Sequence, residues 1–454
     1  MRCLPVHRCR ICVGFGGAGV GMGLALLISS SALAFVAPHT HINSDRAVQA
    51  FDELQARFWN ASAGRFDSSI WWQQANAIEA VVNLALRQPA TRPAVEQVIA
   101  SAFNATSNAT RGRTNKGVDL TFSGYFDDEE WWGLAWLRAY NLTGNVSYLA
   151  RSREVFDDLA TRAWSNTSCG GGVCWQASPD PADMVGCYKN AITNELFLTH
   201  AAQLALVYKA RCATSAGPRA DCDSANHTTT WVRAQLDWVL KSGMINGSNL
   251  VNDGLDTFDN HAEVCLNNRH TAYTYNQGVI LSGLAYAWQL FPEQLELLQT
   301  ASRIVTATFA SSLVHAGTKV LRDMSEPTST PLGNLYLGGP GADGLQFKSV
   351  FVRHLAYFLD VIDHAGPQAE QAVRAAGGAM ADWRLAIQEN ADSIWSRAAC
   401  AEPGPTSAGS TARTPALFGY LWRGPCSYAF AGPSATTQVG AIDVFTAAMA
   451  PSSL

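Results

Sequence analysis

Charge is scarce in this sequence. Of its 454 residues only 15% are Asp, Glu, Lys or Arg, and the formal net charge of -5 is spread without long runs. A nucleic-acid partner would need a basic face to neutralise phosphates, so none is expected. Against this background one stretch, GYFDDEEWW, is unusual because Asp127, Asp128, Glu129 and Glu130 stand side by side.

Complete motifs for metals and cofactors are also lacking. Residues 14–19 match GxGxxG, but they follow no strand and open no βαβ unit, which disfavours a nucleotide-binding loop. Cys169 and Cys174 form a C-x4-C pair with no second pair or His cluster, which makes zinc a poor fit. We therefore expect neither a metal nor a cofactor.

The first 34 residues have the pattern of a secretory signal peptide. A basic start precedes an apolar run from Ile11 to Ile28, and Ala32-Leu33-Ala34 offers a cleavage site after Ala34. An uncleaved anchor is the alternative, because the apolar run approaches membrane-spanning length. The C-terminus lacks a long hydrophobic tail, so no lipid anchor is expected. We predict that residues 35–454 form one secreted, monomeric domain, free or associated with a cell wall.

Glycosylation sequons and the cysteine count agree with secretion. Eight N-x-S/T sequons occur, at Asn60, Asn104, Asn108, Asn141, Asn145, Asn166, Asn226 and Asn246. Three of the 11 cysteines lie in the predicted signal peptide, and the eight that remain suit disulfides. The local pairs are Cys212–Cys222 and Cys400–Cys426. The spacing leaves open how the other four pair: Cys169, Cys174, Cys187 and Cys265.

Strand patterns are nearly absent, whereas apolar residues recur at helical spacing. Six segments open on a polar or aromatic cluster and continue as an apolar helix, beginning near Ser69, Asp127, Lys189, Tyr275, Phe347 and Thr436. Six other helical stretches alternate with them: 45–59, 94–103, 146–164, 228–240, 292–309 and 379–395. This alternation predicts an all-α (α/α)6 barrel, a toroid of six helical hairpins, although an open helical superhelix would share the periodicity. Its inner helices would begin at one rim, so their opening clusters would meet in a funnel-shaped site.

The acidic stretch admits three interpretations. Acids suit a helix N-terminus, and Asp127 with Glu130 has the spacing of a capping box. Consecutive carboxylates could also ligate calcium, although no D-x-D-x-D-G loop is present. Third, glycoside hydrolysis uses one carboxyl group to protonate the leaving oxygen and another to attack the sugar or activate water. Carboxyl groups about 5 Å apart favour retention of configuration, and their crowding helps to keep one protonated.

The segment YFDDEEWWGLAWLRAYNLTG resembles the Asp-Asp motif of glycoside hydrolase family 76, the α-1,6-mannanases and their fungal wall-associated relatives. Further segments match in the same order: CGGGVCWQ, YKNAITNELF, NDGLD, YTYNQGVILSGLA, FKSVFVRHLA and LFGYLWRGP. The resemblance extends from about Asp45 to Ala448. It implies an (α/α)6 barrel and a retaining, endo-acting mechanism on α-1,6-linked mannan or a related mannose-containing glycan.

The resemblance also implies roles for individual residues. It makes Asp127 the nucleophile and Asp128 the general acid/base, and it gives Asp253 a contact with the sugar near the cleaved bond. Other residues matched by position are candidates for sugar binding: Asn190, Tyr275, Asn276 and Gln277. The alternative for each of these is that it caps or braces an inner helix. Trp132 is a further candidate sugar platform, although Trp131-Trp132 first of all repeats the pattern of Trp71-Trp72.

Two features depart from the family pattern. Glu129-Glu130 adds charge after the aspartate pair, which should raise the pKa of Asp128. Cys174 is an additional cysteine, and Cys187 is its candidate partner. Anchored fungal relatives have a lipid-attachment tail, and its absence from this sequence favours a freely secreted enzyme.

Rival functions use the same features differently. A transglycosidase would use both aspartates on a mannose-containing glycolipid, of the GPI type, and pass the glycan to a wall polymer. A non-catalytic mannan-binding protein is a further alternative, but it would not need the intact aspartate pair. A lyase or inverting hydrolase acting on uronic acids would need cationic residues near the sugar, for which the candidates are Lys189, Lys348, Arg353 and Arg423.

Overall fold

A computed structural model describes residues 30–107, 124–177, 187–214, 219–258, 261–323, 326, 341–400, 416–428 and 432–449. Most of the predicted signal peptide and the sequon at Asn108 lie outside these residues. Cleavage after Ala34 stays a prediction, and it would leave most of the first described helix in the mature chain. None of the helices in the described part of the chain is both long and apolar enough to cross a membrane.

The described chain is mainly helical. In order, the helices are α1 (Ser30–Phe58), α2 (Trp71–Arg87), α3 (Arg92–Ser107), α4 (Phe126–Thr143), α5 (Val146–Arg162), α6 (Ala191–Cys212), α7 (Arg219–Lys241), α8 (Thr274–Leu290), α9 (Leu295–Ala310), α10 (Gly341–Gly344), α11 (Phe347–Ala365), α12 (Pro367–Ala375), α13 (Met380–Ser393) and α14 (Ala435–Ala447). A 3-10 turn at Pro89–Thr91 precedes α3, and a π-helical turn at Ile394–Ala398 follows α13.

Six inner helices form a closed ring. Each packs against two others, in the order α2, α4, α6, α8, α11, α14 and back to α2. The outer helices cover this ring: α3 lies on α2, α5 on α4, α7 on α6, α9 on α8, and both α1 and α13 on α14. The inner helices are buried on nearly every side, as their continuous apolar character predicts. The predicted (α/α)6 barrel is confirmed, with one unpredicted outer helix, α12, against α9 and α11.

Glycine permits close contacts within the ring. A Cβ atom on Gly133 of α4 would lie 2.4 Å from the His200 ring on α6, and one on Gly278 of α8 would lie 2.5 Å from the Phe351 backbone on α11. Both distances are far below van der Waals contact, so only glycine fits without a shift of the neighbour. The inner helices therefore approach one another at positions fixed by side-chain size.

A repeated polar contact fixes the rim where the inner helices begin. The fourth residue of four inner helices is an amide that accepts from and donates to the backbone of a nearby loop. Gln74 pairs with Phe66, Asn194 with Val173, Gln277 with Val251, and Gln438 with Phe418 and Ala416. These amides satisfy buried backbone groups where loops enter the barrel. Much of the polar character that opens the inner helices therefore serves to brace loops.

Three small antiparallel sheets were not predicted. They consist of β1 (Trp59–Asn60) with β2 (Arg65–Phe66), β3 (Lys189–Asn190) with β4 (Gly254–Phe258) and β5 (His261–Asn267), and β6 (Ala399–Cys400) with β7 (Leu417–Phe418). Most of these strands are two residues long, which is too short for a periodic signal. The β3–β4–β5 sheet matters for function because it brings Asn190 next to Asp253: the amide N–H of Ala191 donates to the Asp253 carbonyl at 2.7 Å.

All eight predicted cysteines form disulfides. The local bonds Cys212–Cys222 and Cys400–Cys426 are confirmed. The pairing that the spacing left open is Cys169–Cys265 and Cys174–Cys187. The sequon asparagines within the described residues are exposed, except Asn60 and Asn246, which are half-buried.

Candidate active site

A cavity of about 680 Å³ opens where the inner helices begin. Its walls come from the first residues of α2, α4, α8 and α11, from Asn190 before α6, and from the loops between these helices. The lining residues are Ile70, Trp71, Trp72, Tyr125, Asp127, Asp128, Trp131, Trp175, Tyr188, Asn190, Asp253, Tyr273, Tyr275, Asp343, Gly344 and Phe347. The convergence expected for the opening clusters of a toroid is therefore observed for five of the six clusters, whereas the cluster at Thr436 does not line the cavity.

The aspartate pair lies in the first turn of α4, but not as a capping box. The helix begins at Phe126, and the residue before it, Tyr125, is extended and makes no side-chain cap. The Phe126 amide N–H instead donates to the Trp175 carbonyl at 3.0 Å. Because this contact starts the helix early, Asp127 is the second helical residue, and the predicted capping box with Glu130 is wrong. Both aspartate side chains are left partly exposed to the cavity.

Asp127 is held by several donors. Its Oδ2 accepts from the indole Nε1 of Trp175 at 3.0 Å, and its Oδ1 accepts from the amide of Asp128 at 3.0 Å. Burial raises the pKa of Asp127 to about 6, while these hydrogen bonds and one from the Asn190 side chain oppose the rise by favouring the charged form. Asp127 is therefore an oriented carboxyl group that ionises below neutral pH.

Asp128 has a higher affinity for its proton. Burial and, in decreasing order, the charges of Asp127, Asp343 and Glu129 together raise its pKa to about 8. The expected effect of Glu129 is thus present, although burial and two aspartates matter more. Near neutral pH the pair is polarised, with Asp127 ionised and Asp128 protonated, which is the division of labour of a nucleophile and an acid.

Glu129 and Glu130 support the helix and do not line the cavity. Glu129 accepts from the Gly124 amide at 2.7 Å and from the Arg162 guanidinium at 3.1 Å. Glu130 is fully buried and bonds the His200 ring, which in turn bonds the hydroxyl of Ser152. The first fixes the turn before α4, and the second ties α4 to α5 and α6.

Asp253 faces the cavity from the loop before β4. Its Oδ2 accepts from the Tyr188 hydroxyl at 2.5 Å, and that hydroxyl accepts from the Asn268 side chain at 2.9 Å. Tyr275 stacks on Phe347 with ring centroids 3.9 Å apart, and the charges of Asp127 and Asp253 add to burial in raising the pKa of its hydroxyl. Asn190, Tyr275 and Asp253 therefore share the cavity with Asp127.

Three of the expected sugar-binding residues lie behind the cavity wall. The Gln277 side-chain amide accepts from the Val251 backbone N–H at 2.8 Å and donates to the Val251 carbonyl at 2.7 Å. Asn276 is fully buried inside the ring, and Trp132 is packed between Trp71 and Trp136, at 4.7 and 5.3 Å between ring centroids. None of the three lines the cavity. The contacts of Gln277 and Trp132 support bracing and packing roles, and not the expected contact with sugar.

Aromatic side chains form most of the wall. They are Trp71, Trp72, Tyr125, Trp131, Trp175, Tyr188, Tyr273, Tyr275 and Phe347. Flat apolar faces beside hydrogen-bonding acids suit carbohydrate, whose ring faces stack on aromatics while hydroxyl groups bond polar side chains. Trp131, which follows the acidic run, faces the cavity in place of Trp132.

The part of the cavity lining that the structure describes is acidic and has no cationic side chain. Four aspartates line it, and its lining within the described chain includes no Lys, Arg or His. Lys189 donates to the Gly172 carbonyl, Lys348 to Glu326 and the Tyr420 carbonyl, and Arg353 to Asn76. A carboxylated sugar would meet repulsion here, which disfavours the uronic-acid alternative. Among the described residues, no group of three or more His, Cys, Asp or Glu is arranged to hold a metal ion.

Asp343 is a fourth acid that no sequence pattern marked. Its Oδ1 accepts from the Trp72 indole of α2 at 2.8 Å, and its charge contributes to the raised pKa of Asp128. We expect kcat/KM to be bell-shaped in pH, with limbs near the pKa values of about 6 and about 8 for Asp127 and Asp128. Asp343→Asn keeps the acceptor for Trp72 but removes the charge, so the basic limb should move to lower pH by up to about one unit.

The shift should be larger at low ionic strength, because Asp343 is exposed to solvent. Asp237→Asn is the matched control, since Asp237 lies on the outer helix α7 in a surface pair with Lys241. An unchanged basic limb in Asp343→Asn would show that Asp343 does not act on the acid. A shift of equal size in Asp237→Asn would show that the effect is not local.

The family and the relatives that comparison with known proteins identifies agree with each other. The family model for glycosyl hydrolase family 76 matches residues 42–396. Mannan endo-1,6-alpha-mannosidase DCW1 of Saccharomyces cerevisiae is 31% identical over 173 residues, 36% of this chain and 33% of the relative. The Candida glabrata protein of that name is 30% identical over 191 residues, 39% of this chain and 38% of the relative. The alignments thus span little more than a third of these curated relatives.

Solved structures share the fold over most of the chain. An inactive variant of the α-1,6-mannanase GH76A of Salegentibacter sp. HEL1_6, in complex with α-1,6-mannotriose, has a TM-score of 0.63 at 19% identity, with 89% of this chain and 98% of that chain covered. Dfg5 from Chaetomium thermophilum, in complex with glucosamine, has a TM-score of 0.61 at 17% identity, with 90% of each chain covered. Because the family model matches most of the sequence, this chain belongs to glycosyl hydrolase family 76.

Proposed function

We propose that this protein is a retaining endo-α-1,6-mannosidase that cleaves α-1,6-linked mannan by double displacement. The observation that carries the proposal is the aspartate pair itself. Asp127 and Asp128 stand side by side in one aromatic cavity, and their surroundings give them pKa values of about 6 and about 8. One group is thus ready to attack while its neighbour still holds a proton.

In the first step Asp127 attacks the anomeric carbon of the mannose at the cleaved bond. Asp128 gives its proton to the departing glycosidic oxygen, and the products are a mannosyl ester on Asp127 and a shortened glycan. Asp127 is suited to this because Trp175, Asn190 and the Asp128 amide fix its orientation. Asp128 loses its proton as the ester neutralises Asp127, so the two neighbouring carboxyl groups do not carry negative charge at the same time.

In the second step Asp128, now ionised, takes a proton from water, and the water oxygen attacks the anomeric carbon of the mannosyl ester. The bond between the anomeric carbon and Asp127 breaks, which regenerates the carboxylate, and the mannan fragment leaves with the original anomeric configuration at its new reducing end. Asp253, Asn190 and Tyr275 are proposed to hold the hydroxyl groups of the mannose at the cleaved bond. A sugar hydroxyl in place of water would make the same chemistry a transfer reaction.

The relatives support an α-1,6-mannoside as the substrate. The curated fungal relatives are named mannan endo-1,6-alpha-mannosidases, and the Salegentibacter enzyme variant was crystallised with α-1,6-mannotriose. The acidic, aromatic cavity favours a sugar without carboxylates. Four disulfides fit an oxidising compartment, which agrees with a secreted or cell-wall-associated enzyme.

The test is incubation with α-1,6-mannooligosaccharides labelled at the reducing end, followed by proton NMR of the first product. We expect shorter oligosaccharides whose new reducing end is initially the α-anomer. An initial β-anomer would exclude retention. No hydrolysis, together with transfer of mannosyl units to an added glucan acceptor, would replace hydrolysis by transglycosylation. Asp237→Asn, on the outer surface, is the control and should match the unmodified enzyme.

A further inference from the structure

The glycine-rich segment Cys169–Ala177 lies against the site and is fixed along its length. The Asn194 side chain bonds both backbone groups of Val173, at 2.8 and 2.9 Å. The Lys189 ammonium group is buried and donates to the Gly172 carbonyl at 2.7 Å. The Ala177 amide donates to the Gly124 carbonyl at 2.7 Å, just before the acidic stretch. These contacts make the segment a rigid support, not a free loop.

Two residues of this neighbourhood each hold one acid. Trp175 donates from its indole to Asp127, and Tyr188 donates from its hydroxyl to Asp253. They are joined to each other: the Trp175 amide donates to the Tyr188 carbonyl at 2.9 Å, and their rings meet edge to face at 6.3 Å. The residues that precede them, Cys174 and Cys187, are linked by a disulfide. One covalent bond thus fixes the spacing of both donors.

We propose that the Cys174–Cys187 disulfide, Trp175 and Tyr188 form a positioning clamp that sets the nucleophile Asp127 and the sugar-binding Asp253 relative to each other. This inference rests on the proposed function for the roles of the two acids. Neither Cys174 nor Cys187 touches substrate, and the disulfide acts only through its neighbours. The clamp connects the first turn of α4, which carries Asp127, with the β3–β4 edge, which carries Asp253.

The clamp requires the indole N–H of Trp175 as a hydrogen-bond donor to Asp127. Trp175→Phe keeps an aromatic ring but removes the donor to Asp127, and a hydrogen bond to a charged group is worth about tenfold to a hundredfold in rate. We expect kcat to fall by that factor with little change in KM. The acidic limb of the pH profile should also move to higher pH, since the lost donor favoured the ionised form of Asp127. The other titratable groups near Asp127 are Asp128 on α4, Tyr275 on α8 and Asp253.

The disulfide has a matched control elsewhere in the chain. Cys174 and Cys187 are 13 residues apart, and Cys212 and Cys222, between α6 and α7, are 10 apart. Removing either bond from such short loops should lower Tm by similar amounts. We expect C174S/C187S to have a lower kcat and an acidic limb at higher pH. C212S/C222S should keep the kcat and the acidic limb of the unmodified protein. In the C174S/C187S background, Trp175→Phe should cost less than it does alone.

A spectroscopic readout keeps this test separate from activity. In protein labelled with 15N at the indole, the resonance absent from Trp175→Phe belongs to Trp175. It should titrate with an apparent pKa of about 6 in the unmodified protein and lose that titration in Asp127→Asn. In C174S/C187S the resonance should broaden or shift toward that of an unbonded indole, whether or not mannan is cleaved.

The outcomes are distinguishable. If mannan is cleaved, Asp127→Asn is inactive, and both Trp175→Phe and C174S/C187S retain normal kcat and pH profiles, the clamp is refuted and the proposed function stands. If the indole resonance follows Asp127 and depends on the disulfide but no mannoside is cleaved, the clamp stands and the proposed function fails. If C174S/C187S does not fold, Trp175→Phe and the indole titration decide, and an indole that ignores Asp127 overturns the clamp.

Discussion

Asp127→Asn is expected to lower kcat on α-1,6-mannooligosaccharides by at least about four orders of magnitude, because the amide cannot form the mannosyl ester. Asn keeps the size of the side chain and can still accept from the Trp175 indole, so the fold and Tm should change little. The measurement is the initial rate of product release, read beside Asp237→Asn as a surface control. A residual rate within tenfold of the unmodified enzyme would contradict a nucleophilic role for Asp127.

Rescue of Asp127→Ala by azide tests the role of Asp127 through the anomeric configuration of the product. In Asp127→Ala a small external nucleophile can occupy the vacated space and attack the α-mannoside from the opposite face. With an activated aryl mannoside the expected product is therefore the β-mannosyl azide. An α-mannosyl azide would place the nucleophile at another residue, because it would require an intact double displacement.

Asp128→Ala is expected to show a large effect that depends on the leaving group. On unactivated oligosaccharides the loss of the general acid should lower kcat/KM by about 10²- to 10⁴-fold. On an aryl mannoside with a good leaving group, formation of the ester needs little protonation, so kcat/KM should fall far less. The slow second step should then let the mannosyl ester accumulate, which lowers KM.

Azide also separates Asp128 from Asp127. In Asp128→Ala azide should restore turnover by attacking the mannosyl ester, and the product should be the α-mannosyl azide. The basic limb of the pH profile, assigned to Asp128, should be lost in this variant. Equal losses on both kinds of substrate, or a basic limb that persists, would show that Asp128 is not the acid.

The architecture could be predicted because it is repeated and periodic. Each inner helix is apolar over several turns, which a single sequence reveals, and a toroid brings their starts to one rim. The pair Asp127-Asp128 could be found for the same reason, since it opens one of those helices. Its electrostatics were partly predictable: Glu129 raises the pKa of Asp128 as expected, but burial dominates. Burial depends on the whole ring and cannot be read from neighbouring residues.

The expectations that the structure does not support depend on contacts between residues that are distant in the sequence. The capping box failed because the Trp175 carbonyl, distant in the sequence, binds the Phe126 amide and starts α4 early. Gln277 was assigned to sugar because an amide at a helix start suits both tasks, and only the Val251 contact shows which one it performs. Trp132 and Trp131 differ by about 100° around one helix, and packing decides which of them faces the cavity.

Other site residues gave a weaker signal or none. Asp343 follows a glycine-rich stretch without periodicity, so nothing in its sequence context indicated that it faces Asp128. Trp175 and Tyr188 lay in segments that resemble the family, and each follows a cysteine. Once Cys174 and Cys187 are known to pair, the two aromatic residues must be close. That pairing was a candidate, but its consequence for Asp127 and Asp253 required the three-dimensional structure.

The most direct test of the central claim is to trap the mannosyl ester. The unmodified enzyme would be treated with an activated 2-deoxy-2-fluoro-mannosyl donor, which slows release of the ester, then digested with a protease and sequenced by mass spectrometry. We expect a single fluoromannosyl adduct on Asp127, absent from Asp127→Asn and enriched in Asp128→Ala. An adduct on Asp128, Asp253 or another residue would contradict this expectation.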